Sequence, residues 1–143
     1  MNAENKTIPD LGAAENAAVI ETALAHCTGG GDMYQHWTGR MKYTTGISTM
    51  AELCGAHWLI DLVASYQTEP VIRKDPRLQE FQLWTLKVDR SVEGQTSAAA
   101  VCRRDSGDGE PEIIRQEIEY TDFPLDKITL YVEGDVLLLP REH

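Results

Sequence analysis

The chain has 143 residues, 42% of them hydrophobic, which suits one domain with a substantial core and argues against general disorder. Its 13 Lys+Arg stand against 23 Asp+Glu, a net charge of −10 at pH 7. That balance argues against direct nucleic-acid binding, which needs cations to displace counterions. No apolar run approaches the roughly 20 residues of a membrane span. The opening MNAENKTIPD has no basic stretch followed by an apolar one, so export is not indicated and a cytoplasmic location is expected. Three widely spaced cysteines, Cys27, Cys54 and Cys102, read as reduced thiols and not as a disulfide framework.

Residues 1–12 are polar and read as a flexible N-terminus ahead of a single domain over 13–143. The stretch AAENAAVIETALAHC predicts a helix over 13–27, with Ala17, Ile20, Leu24 and Cys27 on one stripe, stopped by the glycines of TGGG. Residues 32–48 are aromatic and interrupted by glycine, with room for one short strand around 40–44. A second helix is predicted over 48–66, capped by Ser48 or Thr49, with Leu53, Ala56, Leu59, Ile60, Val63 and Tyr66 on its apolar face. Two prolines make 67–79 a loop.

The period then changes to two. EFQLWTLKV places Trp84, Leu86 and Val88 on one face and Phe81, Leu83 and Thr85 on the other. SAAAVCR is a second strand, RDSGDGEP a turn, and EIIRQEIEY a third strand with Ile114, Ile118 and Tyr120 inward. KITLYVE and VLLLP close the chain as a hairpin through Gly134 and Asp135. The expected class is α+β: two helices packed on one face of an antiparallel sheet of four to five strands.

Three groups of residues invite a chemical reading. Cys54, His57 and Asp61 fall at i, i+3 and i+7 of the second predicted helix, the residue types of a cysteine hydrolase or, with His26, Cys27 or His36 added, of a zinc site. Side chains stacked along one straight helix do not converge on a substrate as hydrolytic groups must. The expectation is therefore neither enzyme nor cofactor, the alternative being a cysteine-dependent enzyme built on Cys54, His57 and Asp61 or a metal site on Cys54 and His57. Tyr34, His36 and Trp37 in MYQHW offer aromatic anchors for a protein interface. Glu117, Glu119, Asp122, Asp126, Glu133 and Asp135 offer an acidic set along the last strands that would imitate a phosphate track if gathered on one side.

CTGGGD, YQHW, GAHWLIDLVASYQ, EFQLWTLKV, IEYTDFPL and VLLLP together resemble an uncharacterised family of small proteins found on bacterial phages and plasmids. The likeness runs from about residue 24 to the C-terminus. His57 stands where that family's pattern carries tyrosine, which weakens a mechanism built on it. The resemblance implies a mobile-element protein, and by analogy an inhibitor of host defence of the anti-CRISPR type. Such an inhibitor would bind stoichiometrically to a basic nucleic-acid-binding protein of the host through the acidic set and the aromatic segment. A homodimer formed through a free sheet edge is the remaining expectation.

Overall fold

The computed structural model describes residues 13–26, 32–92, 95–105 and 109–142. The expectations for residues 1–12, for Cys27 and the glycine stop after it, and for the turn at 106–108 lie outside these. Helix α1 (Ala13–Ala25) leads to two short strands, β1 (Met33–Gln35) and β2 (Lys42–Thr44). Helices α2 (Thr45–Cys54), α3 (His57–Tyr66), α4 (Pro70–Arg73) and α5 (Pro76–Glu80) follow. The rest is sheet: β3 (Phe81–Val92), β4 (Gln95–Arg103), β5 (Ile114–Ile118), β6 (Lys127–Glu133) and β7 (Val136–Leu138), ending in a 3-10 turn at Pro140–Glu142.

The class is α+β, but its detail differs from the expectation of two helices on four to five antiparallel strands. Among the described residues there are five α-helices and a mixed sheet of seven strands in the order β1-β2-β7-β6-β3-β4-β5. Most of its pairings are antiparallel, while β2 runs parallel to β7, with Lys42 opposite Val136 and Tyr43 opposite Leu137. The parallel pair was hidden because its partners are 94 positions apart. What joins them is a backbone bond from the Lys42 N–H to the carbonyl of Asp135 in the β6–β7 turn, at 2.8 Å.

The helix predicted over 48–66 is two helices. Gly55 ends α2 in the left-handed region at φ 62°, with its N–H donating to the Ala51 carbonyl, a conformation that costs a residue with a Cβ but not glycine. The start of α2 also moves upstream: Thr44, not Ser48 or Thr49, is the cap, its hydroxyl accepting from the Ile47 N–H. In the predicted loop at 67–79, Pro70 and Pro76 open α4 and α5, a position where the missing N–H has no helical partner to lose.

The strands keep the predicted alternation. Trp84, Leu86, Ala98, Ala100, Cys102, Ile128, Leu130, Val132 and Leu137 join the helices' Ile47, Met50, Leu59, Ile60 and Val63 in one buried cluster. Ile20 of α1 belongs to it, with Ala17 and Leu24 packed against it. Tyr120, expected inward, is exposed because β5 ends at Ile118; Phe123 and Leu125, from the segment after it, fill the core instead. Among the described residues no helix is long and apolar enough to cross a membrane.

Candidate functional site

Strand β1 is one edge of the sheet, and the chain leaving it turns through His36, Trp37, Thr38 and Gly39 before entering β2. The imidazole of His36 points inward and is only 4% exposed, so both ring nitrogens need partners. Nδ1 lies 3.2 Å from the Thr38 backbone nitrogen and 2.7 Å from the Thr38 hydroxyl. A backbone N–H can only donate, so Nδ1 is an acceptor and the ring carries its proton on Nε2. That Nε2–H donates to Oδ1 of Asp61 on α3 at 2.7 Å. The Thr38 oxygen in turn accepts from the Arg40 N–H at 3.3 Å.

The same Asp61 oxygen accepts a second hydrogen bond, from the indole N–H of Trp37 at 3.1 Å. The Trp37 ring lies against His36, centroids 5.4 Å apart, yet it is 81% exposed. A large apolar ring is thus held in solvent by its polar handle and its neighbour. Beside it, Met33 and Tyr34 are exposed on β1, and the Tyr34 ring stacks on Tyr43 at 5.6 Å. Asp61, read from sequence as a polar group on a straight helix, ties α3 to the aromatic turn from a half-open position.

The Cys54, His57 and Asp61 alignment is broken by the bend at Gly55. Cys54 is buried at the end of α2, and burial pushes its thiol up to about 12, so at neutral pH it is not the thiolate that nucleophilic attack requires. His57 is exposed on the first turn of α3, with Nε2 3.4 Å from the Glu52 carboxylate. Asp61 faces His36 and Trp37 instead. His26 is exposed, its Nδ1 2.8 Å from the Thr22 carbonyl oxygen. Among the described residues no three of His, Cys, Asp and Glu form a group that would hold a metal ion.

The acidic set does not gather on one side. Glu117 is on β5, the edge opposite β1, bonded to Arg115 at 2.6 Å, and Glu119 and Asp122 are exposed just beyond it. Asp126 pairs with Arg90. Glu133 ends β6 and Asp135 lies in the following turn, near β2. At about 4.8 Å per strand spacing, the two edges are roughly 30 Å apart, so the aromatic turn and Glu117 belong to different surfaces. Sequence reasoning missed Thr38, whose only advance signal was a hydroxyl two residues after a histidine.

The sequence model of a family of unknown function (DUF6876) matches residues 18–143, and the chain belongs to that family. No curated protein matches the chain, and no solved structure does.

Proposed function

We propose that the protein acts by stoichiometric, non-catalytic binding to another protein, docking it on the β1–β2 edge with Trp37 as the anchor. The observation that supports this is an exposed indole hydrogen-bonded to Asp61 and packed on His36. Trp is the side chain most enriched at binding hot spots, and a ring fixed before contact loses less conformational entropy on binding. Among the described residues no strand pairs with the outer edge of β1, which adds a row of backbone groups to which a partner strand can hydrogen-bond.

In its finer form the partner is a basic nucleic-acid-binding protein of a host defence system, and the chain is an anti-CRISPR-type inhibitor from a phage or plasmid, working in the cytoplasm. The support for that form is the net charge of −10, which steers encounter with a basic partner, together with the resemblance noted above. The separation of the two edges makes the contact testable. Wild type, Trp37→Ala and the double variant Glu117→Lys/Glu119→Lys are immobilised in parallel and exposed to a host lysate, and retained proteins are identified. The proposal expects a partner held by wild type and the double lysine variant but released by Trp37→Ala. A partner released only by the lysine variant moves the contact to β5, and equal retention by all three refutes both surfaces.

A further inference from the structure

On the sheet's second face, away from the helices, two lysines face each other across a strand pair. Lys87 on β3 stands directly opposite Lys127 on β6, and the next pair along is Thr85 opposite Thr129, then Leu83 opposite Tyr131. Arg103 on β4 is paired with Leu83 on the other flank. A cavity of about 450 Å³ opens over these side chains, with Asp105 and Glu110 at its rim, within the 300–1,000 Å³ range of small-molecule sites.

Two features of the groove are costly by themselves. Like charges directly opposite across a strand pair repel, and among the described residues neither Lys87 nor Lys127 has a carboxylate within ion-pair distance. Thr85, at the floor, is only 6% exposed, and its hydroxyl has no hydrogen-bond partner among the described residues. The contrast with the other buried polar side chains is sharp. His36 bonds Asp61 and Thr38, Gln82 bonds Gln67 and Trp84, and the Thr121 hydroxyl accepts from the Phe123 N–H. The rim carboxylates are occupied: Glu110 by Arg77 at 3.7 Å, and Asp105 by an interaction of its own. Arg103 also contacts a carboxylate, Glu112, at 3.3 Å.

We infer that this groove binds a small phosphate-bearing anion. A phosphate dianion between Lys87 and Lys127 neutralises both ammonium groups at once, which a single carboxylate does not. Its oxygens accept from the otherwise unpartnered Thr85 hydroxyl and from Thr129. Leu83 and the Tyr131 ring form an apolar wall for the body of a phosphate ester. The groove lies on the sheet face opposite α3, so this inference stands apart from docking on Trp37.

The test is an NMR titration of the full chain with inorganic phosphate and with adenosine 5′-monophosphate, chloride serving as the ionic-strength control. Saturating shifts at Thr85, Thr129 and Lys87 are expected with both, the ester binding more tightly than phosphate. Lys127→Gln, an exposed position whose change relieves repulsion, is expected to weaken both by about tenfold or more. Thr85→Val is expected to weaken them further when combined with it. Shifts that fail to saturate by about 10 mM, a Kd too weak for a built site, overturn the inference. So does binding unchanged in Lys127→Gln, or chloride reproducing the same shifts.

Discussion

Because Oδ1 of Asp61 accepts from both His36 and Trp37, its removal leaves an imidazole N–H with 4% exposure and no partner. Asp61→Ala is therefore expected to destabilise the fold by about 1–3 kcal/mol, the cost of an orphaned buried donor. Asp61→Asn, which retains an acceptor but not the charge, should cost less; urea denaturation midpoints rank the two. The lysine pair predicts the opposite sign. Lys127→Gln removes a like-charge contact opposite Lys87 and should raise stability by roughly 0.2–1 kcal/mol, read in the same denaturation series. Stability lower than wild type would mean that the ammonium has a favourable partner. At this scale the sequence was legible as chemistry but not as geometry. Trp37 and His36 were visible as interface candidates, and Asp61 only as a member of the Cys54, His57 and Asp61 set. That all three meet at one oxygen depends on a contact spanning 24 and 25 positions, which no local pattern encodes.

Helix α2 owes its start to the far end of the chain. The Glu142 carboxylate accepts from the Gly46 N–H at 3.1 Å, from the Leu139 N–H at 2.9 Å and from the Thr44 hydroxyl at 2.6 Å, placing negative charge at the positive end of the helix. A Cβ on residue 46 would lie 2.6 Å from that carboxylate, too close for any alanine unless Glu142 moves. Gly46→Ala and Glu142→Ala should each cost about 1 kcal/mol or more as cap losses. In combination they should cost much less than the sum, because both remove the same bonds. Additive costs in a double-mutant cycle would contradict this origin of the cap.

Helix α5 carries the clearest pH dependence. Asp75 caps it, and the Arg104 guanidinium bonded to its carboxylate at 2.8 Å holds that group below the ordinary aspartate range, helped by the Leu78 and Arg77 N–H donors. A carboxyl whose folded value is depressed contributes stability above its unfolded pKa of about 3.9, and that contribution is lost as pH falls through the lower folded value. Asp75→Asn should thus flatten the acid limb of a stability–pH curve below about pH 4 while leaving the slope near neutrality unchanged. Periodicity located the strands from β3 onward and the apolar faces of the helices, since each repeats over several residues, but not the three-residue β1. The break at Gly55 and the cap at Thr44 each depend on one residue, bonded locally to Ala51 and Ile47, so a pattern that repeats over many residues ran through both.

For the molecule as a whole, the sheet order decides which surfaces work together. The C-terminal hairpin, apolar and short, occupies the middle of the sheet because the parallel strand β2 covers it on one side and β3 on the other. This sends the aromatic turn to one edge and Glu117 to the opposite one, and it leaves the groove beside Lys87 and Lys127 on the face away from the helices. A net charge of −10 read from the sequence gave no hint of that partition, because a total has no direction. The account rests on occupancy of a partner by the Trp37 edge without turnover. Once a partner is in hand, its activity is titrated with increasing amounts of this protein at concentrations far above the Kd. The account predicts a linear fall to a sharp end point at a fixed molar ratio, with Trp37→Ala failing to reach it. Complete loss of partner activity at a small fraction of one equivalent, deepening with time, would contradict it and point to catalysis.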